Sequence, residues 1–483
     1  MPDPEICERA RHARDLRFDG RFFIAVKSTG IYCRPVCPAP TARAANVTYF
    51  PTAAASAEAG YRPCLRCRPE AAPGTPAWQG TSTTVARGLR LIGEGALDRG
   101  SVDDLAERLG VTSRHLSRLF REHLGASPVT VAQTRRLQFA KRLIDESALS
   151  FSDVALAAGF GSLRRFNHTV RETWGRSPGE LRKLRQRTPE RKSEMALTIA
   201  LRAPFDAEHW LTFLGKRAIP GVELVADGAY SRVHVTKDGA GTVSIRPLPD
   251  VPAAEVTVRN IPPAELFTVV RLARALLDAD ADPASIAEIL RRDRALAPRV
   301  RRCPGLRLPG AWNPFELAVR AVLGQQVSVA AARTLAARLV ERFGQELSEP
   351  LATGLTHTFP TPEKIAAANV SSLAGIGLPG KRAEALRGLA KAVASGDVDF
   401  SATPVELCES LEALPGIGAW TAQYIAMRAL RDPDALPASD LILRQMLGDE
   451  KPLSARAVEQ RAEAWRPWRA YGLIHLWAQA SEK

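Results

Sequence analysis

Four of the chain's cysteines fall in two tight pairs, Cys33-x3-Cys37 and Cys64-x2-Cys67, with 26 residues between the pairs. Two such knuckles can present four thiolates to one tetrahedral ion, and an all-sulfur set favours zinc. The flanking sequence is loop-like, with Gly30, Pro35, Pro38, Pro40 and Pro63. So short a segment gains much from a metal staple. The paired spacing argues against unrelated free thiols. The small number and wide scatter of cysteines in a long chain argue against a disulfide framework. Cys303 and Cys408 read as packed thiols.

Charge divides the chain. Residues 1–192 hold 32 Lys+Arg against 19 Asp+Glu, whereas residues 193–483 hold 34 against 33. The front has the balance of a polyanion binder, and the back is neutral on average. With 45% hydrophobic and 24% charged residues, a wholly disordered chain is excluded. No apolar run approaches the roughly 18–20 residues of a membrane helix. No apolar stretch of a signal peptide follows Met1, so the expected location is cytoplasmic, at the nucleoid, with no membrane partner. Linker composition appears at Ala71–Ala77 and Arg182–Ser193, with a softer change near Asp278–Pro283. Strand patterns at Tyr230–Val235, Thr242–Ile245 and Glu255–Val258 interrupt an otherwise helical periodicity.

Phe18–Cys37 together with Gly60–Cys67 resembles the N-terminal domain of the Ada adaptive-response family. The resemblance implies that Cys33, Cys37, Cys64 and Cys67 bind one zinc ion. It also implies that Cys33 irreversibly accepts a methyl group from DNA methylphosphotriesters. A methylated phosphate is neutral, so a thiolate approaches it without the repulsion of an ordinary phosphodiester. Methylation removes one negative charge from the thiolate cluster, which should tighten binding to DNA. The Pro-Cys-His-Arg motif of the family's O6-alkylguanine methyltransferase half occurs nowhere in the chain.

Ser101–Phe120 reads as helix, Gly-containing turn, helix, with Ser101 and Ser113 as expected caps. Phe151–Phe166 repeats the pattern. The tandem, followed by Trp174–Leu181, resembles AraC-type transcriptional regulators. The second helix of each unit would enter the major groove. Ser113, Arg114, Ser117 and Arg118 are expected to read DNA in the first, and Ser162, Arg164, Arg165 and Asn167 in the second. Any single arginine among them is more readily a phosphate contact or part of a solvated face, since phosphate contacts commonly outnumber base contacts.

In the C-terminal half, Leu414-Pro415-Gly416-Ile417-Gly418 is a turn whose glycines let backbone approach a phosphate at a helix N-terminus. Alone it would be an ordinary interhelix turn. Asp440 follows at the start of an apolar helix, where it or Ser439 could equally be a cap. Taken together, and with similarity over most of Leu197–Gln479, these features resemble the AlkA-type DNA-3-methyladenine glycosylases of the helix-hairpin-helix superfamily. The resemblance implies base flipping, an aromatic pocket for an electron-poor base and a catalytic carboxylate at Asp440. Pocket positions fall on Trp420, Tyr424, Trp477 and Phe213, with Leu441 where the family has a tyrosine. The wedge position holds Gln326 instead of leucine, and Gly416, Ile417 and Gly418 form the backbone hairpin. Bifunctional relatives carry a lysine where this chain has Trp420. An indole cannot form an imine, so a monofunctional enzyme is expected. The iron–sulfur cysteines of some relatives are absent from the sequence, and no organic cofactor is expected.

The expected fold is multidomain and mainly α. It comprises a zinc-stapled small α/β module (1–75), a tandem helix-turn-helix module (80–188), a small α+β domain (195–280) and an all-α helix-hairpin-helix glycosylase domain (283–483). The expected partners are double-stranded DNA, as alkylated, methylphosphotriester-bearing or promoter duplex, and RNA polymerase. The expected function is repair of DNA alkylation damage combined with transcription control. One alternative is a methylation-switched regulator whose glycosylase half only binds DNA. Another is a repair protein merely anchored by its helix-turn-helix units.

Overall fold

The computed structural model describes residues 1–72, 83–184, 194–351, 354–448 and 450–480. Two compact units emerge: Met1–Ala203 with Asp250–Arg271, and Pro204–Pro249 with Leu272–Lys483. Most of the expected linkers, Pro73–Ala77 and residues 185–193, lies outside the described residues. Arg182 and Lys183, read as linker, instead close the helix Pro178–Lys183, where basic side chains complement the helix dipole.

The first unit opens with a four-stranded sheet. Its strands are β1 (Phe23–Val26), β2 (Ile31–Cys33), β3 (Val47–Phe50) and β4 (Arg62–Pro63), in the order β3-β1-β2-β4. β1 is antiparallel to β2 and β3, while β4 runs parallel to β2. Alternation along the strands splits the apolar residues between two small cores. Phe22 and Ile24 pack with Cys7 and Ala10 of the helix Pro4–Ala13; Phe23, Ala25 and Tyr32 pack with Ala53.

Two helix-turn-helix units follow. Val102–Arg108 leads to Ser113–Leu124, and Phe151–Ala157 to Leu163–Trp174, with the long helix Pro128–Glu146 between the pairs. Gly110 (φ 68°) and Gly159 (φ 78°) turn the chain between the paired helices in a conformation that favours glycine. Ser101 caps its helix in a capping box with Asp104. Ser113 does not cap the next: Thr112 does, accepting from His115 N–H at 3.2 Å, because the turn ends one residue earlier than expected. The cysteine module is tied to the helices by Thr52 Oγ1, which donates to Leu124 O at 2.8 Å, and by Arg142, which donates to Glu70 O at 2.9 Å.

Five further strands are β5 (Met195–Ala200), β6 (Glu223–Ala226), β7 (Ala229–Thr236), β8 (Gly239–Pro247) and β9 (Ala253–Arg259). β5 and β9 pair antiparallel in the first unit, and β6, β7 and β8 form an antiparallel meander in the second. The helices of the second unit bury a large core that includes Val322, Leu339, Leu386, Leu407, Ile417 and Ile425. Beside it lies a buried ionic network. Arg232 pairs with Glu316 at 2.8 Å and Glu223 at 3.4 Å, while Arg320 contacts both carboxylates. Burial works to raise the Glu223 carboxyl, but Arg320 and Arg232 outweigh it and hold it at about 2. Among the described residues no helix is long and apolar enough to cross a membrane.

Candidate functional site

The four paired cysteines converge. Cys33 ends β2, and the backbone N–H of Cys64 donates to Tyr32 O at 3.0 Å, which brings the second knuckle beside the first. Cys67 Sγ accepts the N–H of Arg34 at 3.3 Å, and Cys37 N–H closes a turn onto Arg34 O at 3.1 Å. The Arg34 guanidinium is fixed by Asp19 at 2.8 Å and by Cys67 O at 3.0 Å. All four sulfur atoms lie within 4.8 Å of one another. A tetrahedral ion with bonds of about 2.3 Å needs sulfurs about 3.8 Å apart, so the donor set fits zinc in number, chemistry and spacing. Cys64 and Cys67 are buried, whereas Cys33 and Cys37 are partly exposed.

The DNA-reading residues inferred from sequence lie on the two second helices, except Ser162, which immediately precedes the second of them. Arg114 and Arg118 are exposed, as are Ser162, Arg164, Arg165 and Asn167, while Ser113 and Ser117 are half-buried. Leu116, Phe120, Phe166 and Val170 face inward at the helical period. Ser162 is also a cap, accepting Arg165 N–H at 3.2 Å.

In the second unit, the helices Ala419–Ala429, Leu441–Leu447 and Arg469–Ala480 bring Trp420, Asp440 and Trp477 together. Asp440 is the cap of its helix: Oδ1 accepts Leu443 N–H at 2.9 Å. It is more than a cap, because Oδ2 accepts the indole N–H of Trp420 at 3.0 Å and Oδ1 that of Trp477 at 3.1 Å. Only 7% of Asp440 is exposed, so the three donors fix one carboxylate orientation. Trp420 and Tyr424 stack, 5.4 Å apart and 3° from parallel, and Tyr424 meets Trp477 at 6.1 Å.

Phe213 is buried and joins the group through arginines. Arg217 lies 3.8 Å and Arg428 5.0 Å from its ring centroid, and Arg428 donates to the Tyr424 hydroxyl at 3.0 Å. Burial works to raise the Tyr424 phenol, but Arg428, Arg217 and Arg320 outweigh it and lower it. Burial and the neighbouring Arg428 push Arg217 down to about 10. Leu441 is 59% exposed at the start of its helix.

Gln326 sits exposed at a loop tip with φ 57°, a conformation that non-glycine residues seldom adopt. Sequence reasoning missed its neighbour Gln325, whose amide donates to Gly416 O at 3.0 Å and Thr421 Oγ1 at 3.1 Å. Gln325 thereby ties the wedge-position loop to the hairpin, and its sequence signal was only adjacency to Gln326. In the hairpin, Gly416 and Gly418 are exposed while Ile417 anchors the turn in the core. The N–H of Ile417 is taken by Leu414 O at 3.1 Å. Gly416 has φ 85°, and a Cβ there would lie 2.7 Å from that of Ala385. Gly416→Ala is therefore expected to cost about 1–3 kcal/mol of stability in the second unit through overpacking and backbone strain. Its affinity for duplex DNA is expected to fall as well, and thermal melts with fluorescence anisotropy check both.

Four family models match in series. Residues 6–70 match the metal binding domain of Ada, 105–184 a helix-turn-helix domain, 196–313 the AlkA N-terminal domain and 319–470 the HhH-GPD superfamily base excision DNA repair proteins. A metal-binding front followed by a helix-turn-helix module and a base-excision fold defines the class. The chain belongs to the family of bifunctional transcriptional activator/DNA repair enzymes of the AlkA type: it is 43% identical over 488 residues to the probable bifunctional transcriptional activator/DNA repair enzyme AlkA of Mycobacterium tuberculosis, covering 98% of this chain and 96% of that one. The DNA-3-methyladenine glycosylase 2 of Escherichia coli is 35% identical over 285 residues, covering 58% of this chain and 96% of its own. The solved 3-methyladenine DNA-glycosylase from Archaeoglobus fulgidus has a TM-score of 0.51 at 27% identity, covering 58% of this chain and 96% of that chain.

Proposed function

We propose that the chain repairs DNA alkylation damage by two chemistries and reports the damage as a transcription regulator. The observation that carries the glycosylase reading is the buried Asp440 carboxylate, aimed by two indole N–H groups beside a stacked aromatic pair. The lesion base, rotated out of the duplex, would sit among Trp420, Tyr424, Trp477 and Phe213, while Gln326 fills the vacated stack and Gly416–Gly418 hold a phosphate. As the bond from C1′ to the base nitrogen breaks, its electron pair leaves with the base and positive charge grows on the sugar. The Asp440 carboxylate stabilises that charge and orients the water whose oxygen joins C1′ and whose surplus proton is released to solvent. The absence of a lysine at Trp420 supports hydrolysis without strand cleavage.

At the other site, Cys33 Sγ attacks the methyl carbon of a methylphosphotriester. A C–S bond forms, the C–O bond breaks, and the phosphate oxygen keeps the electron pair. Zinc bound by the four cysteines would keep the sulfurs deprotonated at neutral pH. The thioether product is stable, so each chain acts once. Loss of one negative charge strengthens DNA binding by the two helix-turn-helix units at a promoter, where RNA polymerase is the downstream partner. Incubating the protein with one preparation of methylated DNA tests the whole reading. Mass spectrometry should find free methylated purines and one added methyl on Cys33, with abasic strands left uncut. Nicked strands would overturn the monofunctional assignment, and absence of both products the repair function.

A further inference from the structure

A cavity of about 550 Å³ opens beside Cys33. Its wall is not confined to the cysteine module: besides Cys33, Cys37, Arg62 and Arg66, it includes Trp174 and Arg176 from the end of the second helix-turn-helix unit. The two parts meet closely. Arg62 Nη1 lies 3.4 Å from where a Cβ on Gly175 would sit. Trp174 is only 6% exposed, and its indole N–H has no hydrogen-bond partner among the described residues. A buried donor without an acceptor is uncommon and calls for one. Indole nitrogen can only donate, so the missing partner is an acceptor. The exposed guanidinium-bearing residues Arg62, Arg66 and Arg176 around it favour an anionic one.

We propose that this cavity is a seat for a DNA phosphodiester, in which Trp174 donates its indole N–H to, and Arg62 and Arg176 neutralise, the phosphate adjoining the methylated one presented to Cys33. The assignment rests on the reading of Cys33 as methyl acceptor and adds a second module to that site. Trp174 ends the helix that carries Arg164, Arg165 and Asn167. Seating the phosphate therefore sets the lesion in register with the second reading helix. Trp174 acts here as a positioning residue.

The test uses the full-length, zinc-loaded chain and a duplex with a single methylphosphotriester. Trp174→Phe, which keeps a ring and removes the N–H, is expected to slow methylation of Cys33 about tenfold. Base release from methylated DNA should be unchanged. Arg176→Gln should lower the slope of log affinity against log salt by about one. In the decisive arm, the adjoining phosphate is replaced by a neutral methylphosphonate. The wild type should then methylate at or below the Trp174→Phe rate, because the arginines lose their charged partner as well, and Trp174→Phe should cost clearly less than tenfold there. Additive losses, or wild-type rates and slopes in both variants, would overturn the seat. If Trp174→Phe melts early, exposed Arg176→Gln carries the same methylphosphonate comparison. Should wild-type Cys33 take up no methyl, the acceptor reading fails. The salt slopes and the methylphosphonate effect on affinity then judge the seat alone. Inorganic phosphate quenching Trp174 as strongly as duplex does, with no methylphosphonate effect, would assign the cavity to a free anion and overturn the DNA assignment.

Discussion

Asp440→Asn is expected to abolish base release, with a loss of about 10³-fold or more in single-turnover rate, while the second unit stays folded. Removing one preorganised electrostatic partner of a transition state commonly costs about 10²–10³, and a full charge facing an oxocarbenium-like sugar stands at the upper end. The substitution is nearly isosteric. An asparagine oxygen can still accept Leu443 N–H, and asparagine is among the best helix caps. What it cannot do is accept both indoles: with its oxygen kept at the cap, where it also accepts Trp477, its NH2 becomes a donor facing the Trp420 N–H. The stability loss should therefore stay near about 1 kcal/mol. Asp440→Ala should lose the cap as well, with a further cost of about 1 kcal/mol. Chromatography of released bases and thermal melts measure the two effects separately. An Asp440→Asn protein that retained a tenth of wild-type rate would remove Asp440 from the chemistry and leave it a cap.

The second large effect is expected on metal removal. Among the described residues the cysteine module shows two small apolar clusters, one on each face of its sheet. Segments of this size seldom fold on such cores alone, whereas a structural zinc site contributes about 10–16 kcal/mol. Chelation should unfold residues 1–70, open them to protease and abolish methyl uptake by Cys33, while base release persists. Limited proteolysis with mass mapping checks the first, and methylated DNA the other two. A chelated protein whose front resisted protease would show that the cysteines do not staple the fold.

Much of this was legible in sequence because it is local. Cysteine spacing, the glycine turn of each helix-turn-helix unit and the hairpin at Gly416 are short-range signals, and the four sulfurs do converge in the first unit. Trp420, Tyr424, Asp440 and Trp477 were expected from the family resemblance, and in the second unit they adjoin one another. The cap at Thr112 was missed by one residue, since two adjacent hydroxyl residues offer the same chemistry and only backbone geometry decides. Arg217 and Arg428 were not legible. They are separated by 211 positions in the sequence and meet only around Phe213 and Tyr424. Gln325 was passed over for a similar reason: its partners Gly416 and Thr421 lie more than 90 positions along the chain, and only adjacency to Gln326 marks it.

The buried network of Glu223, Arg232, Glu316 and Arg320 bears on modularity. Two of its members stand on the strands β6 and β7, and two on the helix Pro314–Leu323, more than 80 positions later. Splitting a buried ion pair leaves an uncompensated charge at a cost of about 3–5 kcal/mol. The helical part of the glycosylase is thus not a free-standing cassette. A gene rearrangement that moved it without the preceding strands would deliver a protein with orphaned charges in its core, so the transferable piece of this architecture begins upstream of the meander.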